Sequence, residues 1–507
     1  MKKIKNGTSL LGIFSKTPTA GFETIQEIQS FTDANAAVDR IEEIYRHNTV
    51  RIQEAFDRLS QEEKLDQQSL TSLAQATYPF VGIRIETKDL NNDPSFSYGL
   101  ALEAGTYGTT VTRPDIFKDY YREQIGLLIE RHKVPIIVGV SDEPIPMPFV
   151  IEHTPSELNP EQLWQVQNYF VLPNLSRLDD DIPNCIASRT HHNFRPLSLF
   201  SGERIDFSLQ RLHHYTATAP EHFQSFILLT NYQRYVEAFI EFGKSQISQD
   251  SEYTELVLPG NVIIQRGHGM PIEQVLKHMP QMPAYHLKRK DGQGITFINI
   301  GVGPSNAKTI TDHLAVLRPH CWLMLGHCAG LRSTQVLGDY ILAHAYVRED
   351  NVLDQDLPRW VPLPAIAEVQ VALQTAVANV LHNSGPMLKT QMRTGTIMTT
   401  DNRNWELRTK ELYERFRQSR AIAVDMESAT VAANGFRFRV PYGTLLCISD
   451  KPIHGEIKLR GMANNFYQQR VKQHLEIGLE AIHLLREKGV DQLHSRKLRG
   501  FDEPPFR

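Results

Sequence analysis

Glu427 and Asp450 stand about two dozen residues apart in the stretch AIAVDMESATVAANGFRFRVPYGTLLCISDK, residues 421–451. Each follows an apolar run of strand character, residues 421–424 before the first and 444–448 before the second. Two acids so placed suit cleavage of a bond between a sugar and a nitrogen base. One protonates the departing base, and the other accepts hydrogen bonds from sugar hydroxyls and faces the positive charge that builds on the ring. Asp450 is the candidate acid, provided burial or the nearby base keeps its proton in place. Glu427 is the candidate for the hydroxyls, since a carboxylate accepts two hydrogen bonds at once. Met426 offers a soft apolar contact to the sugar face. An acid at a strand end can also simply cap the following helix, which is the bland alternative for Glu427.

The elements around the pair can be read from the same stretch. A helix over residues 428–434 carries the small side chains Ala429, Ala432 and Ala433 toward a sheet, and Gly435 is expected to end it. Pro441 and Gly443 then turn the chain into the second strand. Both acids therefore fall at carboxyl ends of strands, the edge where open α/β sheets bind ligands.

AVDMESA followed by CISD resembles the nucleoside phosphorylase and nucleosidase superfamily, and within it the AMP nucleosidases. GVGPSNAKTITDHLAVLRPHCWLMLGHCAGL, GDYILAHAYVRED, TTDNRNWEL, SDKPIHGEIKL and RPLSLFSGERIDFSLQRLHHYT carry the same likeness, which is dense over residues 195–485. The resemblance implies that Glu427 holds the ribose hydroxyls and Asp450 protonates the purine. It implies a substrate 5′-phosphate bound by Arg234, in ILLTNYQRYVEAF, and a histidine, here His222, that reaches a neighbouring subunit's site. It also implies an aromatic against the base near Arg403, Asn404 and Trp405, with Trp405 the stacking ring. A homohexamer regulated by ATP or phosphate is implied as well. Surface or packing roles are the plain alternatives for Arg234, His222 and Trp405.

Other motifs are read with the same balance. Gly301-Val302-Gly303 allows backbone to approach a ligand, with an anion-attracting helix start behind it, though it lacks a Walker ending. Residues 326–330 form a second glycine-bounded loop. Phosphorylases of the superfamily carry an arginine two residues before its glycine and a serine after it, where this chain has Met324 and His327. That departure argues against free phosphate as the nucleophile. Lys451, beside Asp450, is placed either at a phosphate or in solvent. The pairs His191/His192 and His213/His214 have no third ligand at metal spacing and HExxH is absent, so neither metal nor cofactor is expected.

At 507 residues the chain exceeds one ordinary core, and two domains are expected. Residues 1–175 read as an α+β N-terminal domain suited to regulation. Residues 176–195 read as a linker whose acidic run Asp179–Asp181 is a solvated turn, 196–490 as the catalytic domain, and 491–507 as a solvated basic tail. The catalytic part alternates strands with helices, which by itself suggests a mainly parallel sheet; the resemblance implies the α/β fold of the phosphorylases and nucleosidases, a mixed sheet flanked by helices. A net charge of −4 and the want of a long apolar run argue against nucleic acid and membrane as partners. Four scattered cysteines and an N-terminus without a sustained apolar core point to the cytoplasm. The expected activity is hydrolysis of AMP to adenine and ribose 5-phosphate. A phosphorylase, a nucleosidase for unphosphorylated substrates and a nucleotide-binding sensor remain as alternatives.

Overall fold

The computed structural model describes residues 21–61, 65–91, 93, 95–151, 159–186, 194–249, 251–267, 279–457, 464–493, 498–500 and 502–507, with backbone alone for 464–468. The expectations for the first 20 residues and for His191/His192 lie outside the described residues.

The N-terminal part contains β1 (Gln26–Phe31), α1 (Ala34–Ser60), α2 (Gln67–Ala74), β2 (Thr77–Ile85), β3 (Gly105–Thr110) and α3 (Pro114–His132). β4 (Ile136–Pro144), α4 (Pro160–Tyr169), β5 (Arg195–Pro196) and α5 (Gly202–Thr216) follow. The strands form a five-stranded sheet in the order β1-β4-β2-β3-β5. α1 buries Ile41, Ile44 and Ile52 at helical spacing and packs on α3, β2 and β4. α3 begins with Pro114 in its first turn, where a missing N–H costs nothing, and ends at Lys133 in left-handed conformation. β3 pairs antiparallel with β2.

The remainder contains β6 (Phe226–Thr230), α6 (Gln233–Ser248), β7 (Glu255–Leu258), β8 (Val262–Gln265), β9 (Ala284–Lys288), β10 (Ile295–Asn299) and α7 (Pro304–Leu314). β11 (Cys321–Gly330), β12 (Tyr340–Glu349), α8 (Ala367–Leu381), α9 (Gly385–Gln391), β13 (Met392–Thr400) and α10 (Thr409–Ser419) come next. β14 (Ala423–Asp425), α11 (Ser428–Phe438), β15 (Tyr442–Asp450) and α12 (Asn464–Lys488) complete it. The ten strands run β14-β13-β12-β15-β11-β6-β10-β9-β7-β8, and β14 pairs again with β11. The five strands from β14 to β11 thereby close on themselves. α6, α8 and α12 pack together, as do α5, α7 and α11.

Several expectations are corrected here. The sheet is mixed, as the resemblance implies, and not mainly parallel as the alternation alone suggests: β10, β6, β11 and β15 are mutually parallel, whereas β12 opposes β15 and β14 opposes β11. Residues 326–330 are no loop; they extend β11, because β15 and β14 supply ladder partners on both sides. Gly435 does not end α11, which continues to Phe438 before Arg439 turns left-handed. At Gly435 a β-carbon would meet the Tyr442 ring at 2.4 Å, so its smallness serves close packing inside the helix.

The acidic run is only partly a solvated turn. Asp179 is exposed, but Asp180 bonds Arg204 at 3.0 Å and lies 3.6 Å from Arg437, a guanidinium only 1% exposed. Asp312 of α7 and Asn184 complete that site, so the acids offset cations that cannot reach water. Nor is the C-terminal segment solvated. Phe506 is buried, its N–H donates to the Leu197 carbonyl at 3.0 Å, and Tyr120 of α3 donates to the Arg507 carbonyl at 2.9 Å. Arg439 pairs with Glu503 at 2.6 Å in a buried contact. Arg439→Ala leaves Glu503 buried without its partner. It should cost about 3–5 kcal/mol, read as a fall of several degrees in melting temperature, whereas an unchanged melt would show the clasp to be dispensable.

Candidate active site

β6 and β10 run parallel, and the turns beyond their carboxyl ends lie side by side, joined by the bond from Ile300 N–H to the Thr230 carbonyl at 2.8 Å. Asn231 follows β6. Gly301 and Gly303 follow β10 with φ of +69° and +110°, a region glycine enters without strain. Gly303 ends this turn at the N-terminus of α7 with its N–H directed outward. Across from it, Glu427 lies between β14 and α11. Its Oε1 accepts from Gly303 N–H at 2.6 Å and its Oε2 from the Asn231 amide at 2.8 Å. Three segments far apart in sequence thus meet at one carboxyl group, which is 1% exposed. A carboxylate offers about four acceptor positions, so these bonds leave capacity for a ligand's hydroxyls.

The bland alternative for Glu427 can be checked directly: its side chain makes no capping bond to α11. Capping falls to Asp425, whose Oδ2 accepts from Ser428 N–H at 2.9 Å. Burial raises the pKa of both acids. For Glu427, burial is the largest cause and the charge of Asp425 the next, and together they outweigh the Gly303 and Asn231 bonds to push it up to about 8.

Asp450 ends β15. Ala329 of β11 has Val424 as its partner on one side and Asp450 on the other, so the two acid-bearing strand ends lie roughly 10 Å apart, two strand spacings. Cys328 lies in the field of both Asp425 and Asp450, and its buried thiol is pushed well up, chiefly by burial. Asp450 is half-buried, and its Oδ1 accepts from the Ser449 hydroxyl at 2.6 Å. The acids stand on antiparallel strands, and it is the curl of the sheet that gathers their ends.

The other expected residues fall into three groups. Met426 is half-buried in the turn between the two acids of β14, and Arg234 lies in the first turn of α6, three residues beyond Asn231. His222 is half-buried in a short turn before the amino end of β6, the opposite sheet edge from Asn231, with burial lowering its pKa. Within one chain it is apart from Glu427. Arg403 is exposed beyond β13.

Two expectations are corrected. Lys451 is buried, donating to the Gln335 carbonyl at 2.8 Å and pairing with Glu456 at 2.6 Å, so its ammonium is committed to holding the loop after Asp450. Trp405 is buried edge-on to Phe416 at 5.6 Å, in a cluster with Ala329, Met398 and Val424; it packs the core rather than offering a stacking face.

Sequence reading passed over Asn231 and Asp425. A lone asparagine after a strand is an ordinary turn residue, and Asp425 is one more acid beside Glu427 with nothing in its spacing to mark it. The signal for Asn231 lies at Gly326, where a β-carbon would sit 3.3 Å from the Asn231 oxygen, closer than most side chains tolerate.

A family model described as the N-terminus of bacterial AMP nucleoside phosphorylase matches residues 36–194, and one for the phosphorylase superfamily matches residues 276–483. AMP nucleosidase of Escherichia coli (strain K12) is 48% identical over 477 residues, spanning 93% of this chain and 98% of that relative. The chain belongs to the AMP nucleosidase family. Among solved structures, AMP nucleosidase from Bacteroides thetaiotaomicron is 30% identical, covering 56% of this chain and 98% of that one with a TM-score of 0.42. Purine nucleoside phosphorylase from Toxoplasma gondii is 19% identical, covering 54% of this chain and 98% of that one with a TM-score of 0.40. The cradle of this AMP nucleosidase family member draws on segments inside and just upstream of the superfamily match, since Gly303, Glu427 and Asp450 fall within residues 276–483 and Asn231 precedes them.

The raised pKa of Glu427 has a stability consequence. The folded chain keeps a proton there that the unfolded chain releases near pH 4.5, so this contribution is full below that pH and is lost as pH rises through about 8. Glu427→Gln removes the loss. Its melting temperature should gain on wild type between about pH 5 and 8.5, and a constant difference across that window would contradict the shift.

Proposed function

We propose that this chain hydrolyses the N-glycosidic bond of AMP, releasing adenine and ribose 5-phosphate. The observation that carries the reading is the Glu427 carboxyl held between Gly303 and Asn231, close to the strand end that bears Asp450, in a chain so similar to AMP nucleosidase. Water attacks C1′ as the bond to the base breaks. The ring passes through a cationic state, and the electrons of the bond go to adenine, which takes a proton from Asp450 at N7; the proton the water gives up as its oxygen bonds to C1′ leaves to solvent, from which Asp450 is reprotonated. Glu427 accepts from the ribose 2′ and 3′ hydroxyls and, once ionised, faces the positive sugar. Met426 lies against the sugar. Arg234 and the N-terminus of α7 supply positive potential for the 5′-phosphate, with Arg403 a further cation at the loop after β13.

Met324 is fully buried in β11 at the position where superfamily phosphorylases carry a cation, which favours water over phosphate as nucleophile. We further propose a cytoplasmic homohexamer in which His222 serves a neighbouring subunit. Residues 1–175 would form a regulatory domain for ATP or phosphate, joined through 176–195 to a catalytic domain over 196–490.

The test is purified protein with AMP, products resolved by chromatography, with and without phosphate. Adenine and ribose 5-phosphate should form at a rate independent of phosphate as reactant, and Asp450→Asn should lose about 10²–10⁴-fold in kcat. A product phosphorylated at C1′ would establish phosphorolysis instead, and AMP binding without base release would mark a sensor.

A further inference from the structure

Asp425 has no place among the substrate contacts proposed above, yet it is buried and its acceptors are engaged within the protein. Oδ1 accepts from the Thr399 hydroxyl at 2.6 Å, and Oδ2 from Ser428 N–H at 2.9 Å and from the Ser428 hydroxyl. Thr399 Oγ1 in turn accepts from Ala429 N–H at 2.8 Å. The first two N–H groups of α11, which a helix start leaves without internal partners, are thus taken by Asp425 and Thr399. Glu427 occupies the residue just before that helix, with φ −132° and ψ −32°, and turns its carboxyl away to Gly303 and Asn231.

We propose that Asp425 is a positioning residue for ribose capture that acts in two ways together: it caps α11 in Glu427's place, so that Glu427 is directed to the ligand, and its charge bears on the Glu427 carboxyl beside it. This rests on the reading of the chain as a hydrolase of AMP. The arrangement has an electrostatic side as well. The titratable groups facing Asp425 are Glu427 on its own turn, Cys328 of β11 and Tyr346 of β12, with Asp450 acting on the same Cys328. None is a cation. The charge of Asp425 therefore bears on Glu427, adding to burial in keeping a proton there. Burial and the mutual repulsion of the two carboxyl groups both disfavour a doubly charged pair, and positive charge forming on the sugar relieves that penalty.

Glu427 accepts both hydroxyls as an anion, so kcat/KM for AMP should rise with pH along a limb that reports its ionisation. Asp425→Asn keeps the shape and removes the charge. It should move that limb to lower pH by about one unit or more, while Asp425→Glu, which keeps the charge, should leave it within a few tenths. A purely structural role would lower kcat/KM at every pH without moving the limb. Circular dichroism reports whether Asp425→Asn folds. If it does not, Asp425→Ser decides, since its hydroxyl still accepts from Ser428 N–H and carries no charge. An unmoved limb in a folded, uncharged variant overturns the proposal. If wild type releases adenine from AMP and the limb stays put, Asp425 alone has been misread; if wild type releases none, the hydrolase reading falls and takes this one with it.

Discussion

The bonds from Gly303 N–H and the Asn231 amide to Glu427 are the contact on which the site depends. They join the turn after β10, the turn after β6 and the turn between β14 and α11. None of these is adjacent in sequence. A carboxyl group buried so fully is costly unless its oxygens are satisfied. Two fixed donors provide that, and they also aim it. The neighbouring acid then denies it an easy charge, which leaves a group able to answer the positive charge of a reacting sugar.

Bringing those turns together is the work of the sheet. β14 is only three residues long and pairs with both β13 and β11, so the five strands from β14 to β11 close into a ring. That closure brings the end of β14 beside the end of β15, although the two strands run in opposite senses. α7 and α11 then lead away from Gly303 and Glu427, and they are tied together at their far ends. Arg437 of α11 contacts Asp312 of α7 and Asp180 upstream of α5, while Asn434 donates to Asp312 at 2.8 Å. The two helices that start at the cradle are therefore fixed at both ends, and the segment between α4 and β5 is part of the fixture.

Much of this was legible in the residues themselves. Apolar runs ending in acids marked β14 and β15. What escaped has physical reasons. β1, QEIQSF, is an edge strand with largely exposed side chains, so it has no burial pattern to read. β11 runs on through Gly326 and Gly330 because two neighbouring ladders override the turn preference of glycine. Gly435 reads as a helix stop only until Tyr442 is seen lying on it. Lys451 looks like a ligand cation until Gln335, brought in by another loop, and Glu456, in its own loop, claim it. The C-terminal segment looks solvated because its burial comes from Arg439, Leu197 and Tyr120, all distant in sequence. Local pattern identified the acids. Long-range pairing decided which of their neighbours serve the ligand and which serve the fold.

The most direct test of the central claim is a crystal structure of the chain with a C-nucleoside 5′-phosphate, a purine analogue whose carbon–carbon link cannot be hydrolysed. The account predicts both ribose hydroxyls on Glu427, with the Gly303 and Asn231 bonds retained, and the N7 side of the base within hydrogen-bond reach of Asp450. A ribose seated away from Glu427, or a base whose N7 edge faces away from Asp450, would contradict it.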